Sequence, residues 1–360
     1  MIRFGVIGFG YWGPNVVRNL RETPGARVVA VSDRQEVRQA EARARYPDIE
    51  VFGEAQALLE TPQIDAVVIA APLRTHNDIA TRCLAAGKHM LIEKPMCASA
   101  AEALRLTQEA SHRGLTIMVG HTYCYTGAVR KIKALIDDSH LGEQLYSYDS
   151  VRANLGRFQS DVNVISDLAV HDIAILDHLL GRMPSAVTAT GARNIAGGTE
   201  NLAHLTLNYA DGFTAHIHVS WLAPEKIRRT VVCGSRRLLV YDDMAPVEKL
   251  RIHDTRVEMR ASTDPDEEQG CVADYHVGEV VTPHLDPAEA LGVELRHFVD
   301  CIAEKKRPLT DGYSGVRVMQ VIEAAQIALR EQRTVSLNEG LSERAVSLET
   351  RLPDIPIICR

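Results

Sequence analysis

The sequence lacks the marks of several common protein classes. Its seven cysteines form no C-x-x-C pair, so they indicate neither a disulfide framework nor a thiolate zinc site. Its apolar runs are only as long as a β-strand, far short of the roughly 20 residues that cross a bilayer. The opening MIRFGVIGFG enters a strand at once and shows no signal-peptide pattern. These absences predict a protein of the reducing cytoplasm without a membrane segment.

The charge distribution excludes a further class. The net charge is −7 at pH 7, and the basic residues are scattered along the chain instead of forming a patch. Nucleic-acid-binding domains usually carry a clustered positive surface, so we expect no nucleic-acid partner. The length of 360 residues favours about two domains.

The first third of the chain alternates apolar strands with amphipathic helices. Short runs such as RFGVIG, RVVAVSD and HMLIEK are typical of buried strands, and the stretches between them have helical periodicity. Strand–helix–strand repetition of this kind predicts a parallel sheet with helices on both faces. We expect an α/β protein whose residues 1–122 form a doubly wound Rossmann domain.

After about residue 120 the pattern changes. Period-two strands such as NLAHLTLNY and FTAHIHVSW are separated by hairpin signals, and helices return near the end. This pattern predicts a C-terminal α+β domain with a largely antiparallel open sheet over residues 123–340, including a final helix at about 312–331. Residues 341–360 are expected to form an irregular tail.

A glycine-rich turn follows the first predicted strand. Gly8, Gly10 and Gly13 have the G-x-G-x-x-G spacing, and Pro14 opens the next helix. Such glycines allow a tight turn, close approach of the backbone to a pyrophosphate, and close helix–strand packing. The helix N-terminus offers oriented N–H groups to the phosphates. Asp33 ends the second strand about 20 residues later, where a carboxylate accepts hydrogen bonds from a ribose. The sequence therefore predicts a dinucleotide cofactor.

The choice of cofactor depends on Asp33 and Arg34. The Asp33 carboxylate would repel a 2′-phosphate, which favours NAD. An arginine at the next position is able to accommodate a 2′-phosphate, so NADP stays open. The alternative for Arg34 is a solvated residue in the first turn of the following helix.

A lysine ends the apolar strand in HMLIEKPMCAS. Glu93 and Lys94 lie at its carboxyl end, where doubly wound sheets bind their ligands. A partly desolvated lysine near a cofactor cation has a lowered pKa and exchanges a proton near neutral pH. The alternative is that Lys94 only extends its ammonium to the surface.

A second acid–base pair lies in SDLAVHDIAILDHLLG. Asp167 and His171 are four residues apart, so on a helix they share a face. A carboxylate and an imidazole suit removal of a hydroxyl proton while hydride leaves the same carbon. The alternative for His171 is a structural histidine. Asp172 and Asp177 are expected at the helix surface or in capping positions.

The glycine-rich opening, Glu93-Lys94-Pro95 and Asp167-x-x-x-His171 together resemble the glucose–fructose oxidoreductase/inositol dehydrogenase (Gfo/Idh/MocA) family. The resemblance covers nearly the whole chain. It implies hydride transfer between NAD(P) and a carbohydrate hydroxyl or ketone, with Lys94 as the catalytic lysine. It likewise implies that Asp167 and His171 are the active-site acid and histidine. The family's open sheet implies a homodimer or homotetramer.

The chain departs from the family pattern at one place. Many members carry an Asn-x-Arg-Phe-x-Pro-like stretch after the last Rossmann strand, and this chain has Thr122, Cys124 and Gly127 instead of Asn, Arg and Pro. The contacts that those three residues make in relatives are therefore not carried over.

The region before and through the predicted catalytic helix further resembles nucleotide-sugar dehydrogenases and reductases, including UDP-N-acetylglucosaminuronate 3-dehydrogenases. Arg152, Asn154, Arg157 and Asn163 precede that helix. They suit binding of hydroxyls, a carboxylate or a diphosphate, because arginine recognises anions with two N–H groups. The alternative is that both arginines are ordinary exposed charges.

The predicted site combines these residues. The cofactor-binding set is Gly8, Phe9, Gly10, Tyr11, Trp12, Gly13, Asp33, Arg34, Ala71, Pro72, His76, Glu93 and Lys94. The substrate-binding set is Lys94, Tyr123, Arg152, Asn154, Arg157, Asn163 and His171. No metal is expected. His204, His216 and His218 have no evident further ligand, and a polar sheet face or a subunit interface explains them better.

The leading hypothesis is an NAD-dependent dehydrogenase that oxidises a secondary hydroxyl of a nucleotide sugar, at C3. Lys94 or His171 takes the hydroxyl proton, and Asp167 orients or charge-balances the imidazole. Other hypotheses are a free-sugar or inositol dehydrogenase, a deoxysugar ketoreductase, and a non-catalytic nucleotide sensor.

Overall fold

Two β-sheets organise the chain in the computed structural model. The first is parallel and N-terminal, and the second is mostly antiparallel. The predicted α/β class is therefore confirmed. The described residues are 1–156, 158, 162–196, 198–261 and 271–337. Arg157 and the predicted tail at 341–360 lie outside them.

Six parallel strands form the N-terminal sheet. The strands are β1 (Ile2–Ile7), β2 (Ala26–Ser32), β3 (Glu50–Phe52), β4 (Ala66–Ile69), β5 (His89–Glu93) and β6 (Ile117–Gly120). The helices between them are α1 (Gly13–Glu22), α2 (Glu36–Arg45), α3 (Ala55–Leu59), α4 (His76–Ala85) and α5 (Ala100–His112). The strand order is β3-β2-β1-β4-β5-β6, so the direction of winding reverses between β1 and β4. Every residue of β4 is buried, as expected for a strand covered on both faces.

Nine strands form the second sheet. The strands are β7 (Leu145–Leu155), β8 (Ala186–Ala192), β9 (Leu202–Asn208), β10 (Thr214–Ser220), β11 (Leu222–Gly234), β12 (Leu238–Asp242), β13 (Leu250–Ala261), β14 (Cys271–Val281) and β15 (Val335–Ser336). Their order is β14-β13-β12-β11-β7-β10-β9-β8-β15, and all neighbours are antiparallel except β7 and β10. The accompanying helices are α6 (Gly127–Asp137), α7 (Val170–Leu180), α8 (Ala290–Glu304) and α9 (Gly312–Glu331). None of the described helices is long and apolar enough to cross a membrane.

Helix α9 coincides with the final helix predicted at about 312–331, but the last two helices also reach the N-terminal sheet. On α8, the Phe298 ring packs on Phe4 of β1, with ring centroids 6.0 Å apart. Just before α9, Thr310 donates a hydrogen bond from Oγ1 to the carbonyl of Val119 in β6 (2.8 Å). The division into residues 1–122 and 123–340 stays a prediction, because α8 and Thr310 contact the N-terminal sheet.

One face of the second sheet is left open by the helices. Along β9 the side chains alternate, so that Leu205 is buried and His204 is exposed. On the open face the His204 and His218 rings stack with centroids 4.3 Å apart, and His216 Nδ1 lies 2.9 Å from Asp149 Oδ1. Among the described residues, no three His, Cys, Asp or Glu side chains form a group that could hold a metal ion.

Two carboxylates on α7 correct the sequence prediction. Asp172 and Asp177 were expected at the helix surface or in capping positions, but only 1% and 8% of their surface is exposed. Arg152 donates to Asp172 from Nε (2.7 Å), and Arg317 donates to Asp177 from Nε (2.6 Å). Ser314 also donates to Asp177 (2.8 Å). The expectation was wrong because cations from β7 and α9 make burial of these carboxylates possible.

We expect Asp177→Ala to destabilise the chain, because it leaves the Arg317 guanidinium without this buried partner. Removing one partner of a buried ion pair costs about 3–5 kcal/mol of unfolding free energy. The matched control is Asp137→Ala, which breaks a pair with Lys133 in which Asp137 is mostly exposed. Asp137→Ala should lower the unfolding free energy by less than about 1 kcal/mol. Urea denaturation measures both, and equal costs would contradict a stabilising role for the buried pair.

Candidate active site

A cleft of about 620 Å³ opens beyond the carboxyl ends of β1, β2 and β4. It lies where the winding of the sheet reverses, which is the ligand-binding position of doubly wound folds. Residues of the predicted cofactor set line it, namely Gly8, Gly10, Tyr11, Trp12, Asp33, Arg34, Ala71 and Pro72.

The glycine-rich turn leaves room for a phosphate group. Gly8 has a φ of +99°, and a Cβ atom there would lie 2.3 Å from the carbonyl oxygen of Ala70. A Cβ atom at Gly13 would lie 2.2 Å from the Gly8 carbonyl oxygen. At Gly10, by contrast, no described atom lies within 4 Å of the Cβ position. Helix α1 starts at this turn with no described side chain capping it, and its first N–H group, at Gly13, is the one that an anion would meet, because the second residue is a proline and the next two N–H groups donate to a backbone carbonyl.

Asp33 connects the end of β2 to the glycine-rich turn. Its Oδ2 accepts a hydrogen bond from the Phe9 backbone N–H (2.7 Å), and its Oδ1 accepts one from the Gln35 N–H (2.8 Å). Each carboxylate oxygen keeps further acceptor capacity for ribose hydroxyls. Arg34 donates to Glu54 at the rim (3.3 Å). The cleft therefore fits NAD, and the assignment of Gly10 and α1 to the pyrophosphate and of Asp33 to the ribose stays a prediction.

Three further residues of the predicted cofactor set do not line the larger cleft but support the backbone around it. Phe9 is fully buried, and Gly13 packs against Gly8. His76 connects two loops, because its Nε2 lies 2.8 Å from the Ala71 carbonyl oxygen and its Nδ1 lies 3.0 Å from that of Pro95.

A second cleft of about 450 Å³ adjoins the first and contains Lys94. The two clefts share Ala71 and Pro72 in their walls. Lys94 Nζ donates to Asp167 Oδ1 (3.2 Å) and to the Asp167 carbonyl oxygen (3.1 Å). The Trp221 indole donates to the other carboxylate oxygen, Oδ2 (3.1 Å). The Lys94 and Asp167 side chains are each 22% exposed, so the charged contact is only partly screened by water.

Asp167 lies in a π-helical turn, Ile165–Ala169, which leads directly into α7. The four-residue spacing to His171 predicted a shared helical face and an imidazole oriented by Asp167. That orientation is not observed, because Asp167 contacts Lys94 and Trp221 instead. A π turn adds a residue to the helical repeat, so positions four apart no longer align. Single π turns of this kind are frequent at functional sites.

His171 faces a group of aromatic and cationic side chains. Its ring packs edge-on against Tyr123, with ring centroids 4.7 Å apart. Its Nδ1 is buried and has no hydrogen-bond partner among the described residues. Burial lowers the pKa of His171 well below its usual value, and the nearby Lys94 and Arg152 cations lower it further. The imidazole is therefore neutral at physiological pH, which is the form that accepts a proton.

Two guanidinium groups lie over the ring of Tyr123. Cζ of Arg152 lies 4.5 Å from its ring centroid, and Cζ of Arg228 lies 5.3 Å from it. Arg152 is 6% exposed and bound to Asp172, so the alternative of an exposed strand charge is wrong for it. Its Nη1 is buried and has no described partner, which leaves one N–H group unused.

The remaining predicted substrate residues have other contacts. Asn163 Oδ1 accepts from the Ser166 N–H (3.1 Å), and its Nδ2 donates to Glu200 (3.3 Å). Asn154 donates to the neighbouring Leu155 carbonyl (3.4 Å). A substrate role for these asparagines, and for Arg157 outside the described residues, stays a prediction.

Several residues at the site were missed by the sequence analysis. Trp221 follows β10 in a segment interpreted only as a strand. Glu294 on α8 is fully buried and accepts a hydrogen bond from Thr122 Oγ1 (2.7 Å). His121 is 2% exposed and lies next to Thr122. The sequence holds no local signal for Glu294, because it sits in an ordinary amphipathic helix 172 residues from Thr122.

A parallel sheet with a dinucleotide cleft at its switch point, next to an ammonium, a carboxylate and a neutral imidazole, defines the class of NAD-dependent oxidoreductases. Residues 2–121 match the oxidoreductase family with the NAD-binding Rossmann fold, and residues 129–240 match the GFO/IDH/MocA C-terminal domain. The chain belongs to this Gfo/Idh/MocA family.

Individual relatives are named for the oxidation of ring hydroxyls. The chain is 23% identical to the myo-inositol 2-dehydrogenase of Thermotoga maritima over 94% of this chain and 99% of that protein. It is 35% identical to inositol 2-dehydrogenase 2 of Saccharopolyspora erythraea over 52% of this chain and 56% of that protein. The solved structure of the UDP-N-acetylglucosamine 3-dehydrogenase of Acidithiobacillus ferrooxidans superposes with a TM-score of 0.75 at 25% identity, covering 92% and 98% of the two chains.

The environment of His171 predicts an imidazole that resists protonation. We expect the pKa of His171, measured by NMR titration, to lie well below the ordinary histidine pKa of about 6.5. Lys94→Met removes a neighbouring cation and should raise the pKa of His171. Lys306→Met is the matched control, because that ammonium pairs with Glu304 in another part of the chain. An unchanged His171 pKa in Lys94→Met would contradict the electrostatic coupling.

Proposed function

We propose that the chain oxidises a secondary hydroxyl of a sugar-type ring, using NAD bound in the larger cleft. The observation that carries this proposal is the meeting of Lys94, Asp167 and neutral His171 beside the cofactor cleft. NAD supplies the hydride acceptor when bound. The chain's own residues hold the ring and move the hydroxyl proton.

Two side chains share the proton transfer in this proposal. The Lys94 ammonium, oriented by Asp167, stabilises the negative charge that develops on the hydroxyl oxygen. The neutral His171 imidazole takes the proton. The Trp221 indole holds Asp167 from the other side, so the carboxylate stays directed at Lys94. In this proposal His171 is the base, a choice that the sequence left open between Lys94 and His171.

For the substrate, we propose a nucleotide sugar of the UDP-N-acetylglucosaminuronate type, oxidised at C3. The similarity to a UDP-N-acetylglucosamine 3-dehydrogenase extends over 92% of the chain and supports this choice. Pro72 and Arg74 are exposed at the rim of the Lys94 cleft, which allows a bulky substituent to extend outward.

The second candidate is a free inositol. It is supported by the 35% identity to an inositol 2-dehydrogenase. The buried pairing of Arg152 with Asp172 also favours it, because that guanidinium is largely neutralised before any substrate anion binds.

We also propose that the open face of the second sheet joins copies of the chain. Beyond its pairing with β12, β13 continues with β14 as a two-stranded ribbon. Val257, Tyr275 and Val277 on its open face are 56%, 72% and 79% exposed. A two-stranded ribbon is marginally stable in water, and contiguous exposed apolar side chains are typical of an interface.

The function is tested by following NAD reduction with four substrates offered separately, namely UDP-N-acetylglucosaminuronate, UDP-N-acetylglucosamine, myo-inositol and glucose 6-phosphate. Turnover restricted to UDP sugars supports the nucleotide-sugar proposal, and turnover with myo-inositol supports the second candidate. Lys94→Met should lower kcat by at least about 100-fold while NAD still binds, since removal of one group that stabilises a developing oxyanion typically costs that much. Full activity of Lys94→Met would refute the proposed mechanism.

The assembly is tested with Tyr275→Asp, which places a charge on the exposed ribbon. We expect light scattering after size-exclusion chromatography to show a smaller species than the unchanged chain. Val247→Asp is the control, because Val247 is 73% exposed but lies outside the ribbon. The same mass for the unchanged chain and Tyr275→Asp would argue against the ribbon as an interface.

A further inference from the structure

A group of buried polar atoms lies behind the two clefts. Glu93 Oε1, Glu294 Oε1 and both ring nitrogens of His121 are buried and have no hydrogen-bond partner among the described residues. Buried polar atoms are nearly always hydrogen-bonded, so several unpartnered ones in one place call for a functional explanation. Neither the proposed hydride transfer nor the substrate contacts use these atoms.

Two carboxyl groups form the centre of this group. Glu294 extends from α8 and accepts from Thr122 through Oε2, which leaves Oε1 unused. Glu93 ends β5 beside Gly120, where a Cβ atom would lie 3.1 Å from the Glu93 carboxyl group. Its Oε2 accepts from the Lys94 backbone N–H (3.3 Å), so again Oε1 is unused.

The two carboxyl groups differ in how strongly they hold a proton. Burial raises the pKa of Glu93 to about 7, although the nearby Lys94 ammonium opposes the shift. Burial and repulsion from Glu93 raise the pKa of Glu294 well above its usual value. Two interacting buried carboxyl groups do not both ionise at neutral pH, so Glu294 keeps its proton and Glu93 is the group that titrates.

The other titratable groups around the pair are neutral at physiological pH, except Lys94. Burial lowers the pKa of His121 to about 4 and raises the pKa values of Cys124 and Tyr125 well above their usual values. On the α1 side, α8 meets the uncharged Asn19, and Arg18 is bound to Glu289. The charge of Glu93 is therefore balanced mainly by Lys94.

Glu93 lies next to residues that line both clefts. Trp12 lies close enough to the Glu93 carboxyl group to oppose the rise of its pKa, and Trp12 is also part of the wall of the cofactor cleft. Lys94, on the other side, is part of the wall of the adjoining cleft. A charge that arrives where these clefts meet acts on Glu93 through a medium of low dielectric constant.

We propose that Glu93 and Glu294 form a proton-holding carboxyl pair that senses the charge of the nicotinamide ring. Oxidised NAD⁺ has a positively charged ring, which favours ionised Glu93, so its binding releases a proton from the pair. The ring of NADH is neutral and releases none. Glu294 is a positioning residue whose protonated, neutral carboxyl group leaves Glu93 as the member of the pair that ionises. This inference rests on the nicotinamide cofactor of the proposed function but not on the choice of sugar.

The test is calorimetric titration of the chain with NAD⁺ and with NADH in buffers of different ionisation enthalpy, which counts released protons. We expect fractional proton release with NAD⁺ near neutral pH and none with NADH. NAD⁺ should bind about tenfold more tightly at about pH 8 than at about pH 6, a coupling within the usual range for linked sites. The sign follows from Glu93, whose anion is lost as the pH falls below about 7.

Three variants separate this role from a structural one. Glu93→Gln should abolish both the proton release and the pH dependence of NAD⁺ binding. Glu294→Gln should retain them, because glutamine is uncharged like the protonated carboxyl group, but should remove the infrared carbonyl band of a protonated carboxyl group. Glu289→Gln, at the exposed start of the same helix, should behave like the unchanged chain.

Proton release that persists in Glu93→Gln, or NAD⁺ binding without proton release in the unchanged chain, would overturn the inference while leaving the proposed function intact. Failure of NAD⁺ to bind at all would overturn both. If Glu294→Gln does not fold, a protonated-carboxyl band in the unchanged chain that shifts on NAD⁺ addition still supports the pair. A band that does not respond contradicts it.

Discussion

The candidate site depends on one charged contact between residues 73 positions apart, Lys94 and Asp167. Lys94 lies at the end of a strand in the parallel sheet, and Asp167 lies in the π turn that leads into α7. Because both side chains are mostly shielded from water, the contact fixes where the ammonium lies. Burial keeps His171 neutral, and the ammonium in that position lowers the pKa of His171 further; the same ammonium lies beside the titrating carboxyl group of Glu93.

The helix that carries His171 is held from two directions by buried ion pairs. Asp172 binds Arg152 on β7, and Asp177 binds Arg317 on α9. Each pair costs desolvation, so its net stabilisation is small, but either partner left alone would be strongly unfavourable. The consequence is a helix whose rotation is restricted. The imidazole is therefore held against Tyr123 in a defined orientation.

Local signals in the sequence were sufficient for part of this architecture. The glycine-rich turn, Asp33 and the bounds of α9 depend on spacing and periodicity within a few turns of chain. The β13–β14 ribbon was not predicted, because RIHDTRVEMR places charged residues on one face and only scattered apolar ones on the other. The surface positions expected for Asp172 and Asp177 were wrong because their cations come from distant elements.

The sequence by itself determined the parallel sheet, the dinucleotide cleft and the placement of Lys94 at a strand end, since hydrophobic periodicity and glycine spacing are local properties. Only the tertiary structure decided which groups interact there. The π turn directs Asp167 to Lys94 and Trp221 instead of His171, and packing of α8 brings Glu294 to Thr122 and close enough to Glu93 to interact with its charge. Such pairings depend on burial and on charges from separate elements, and the protonation of each group follows from that environment.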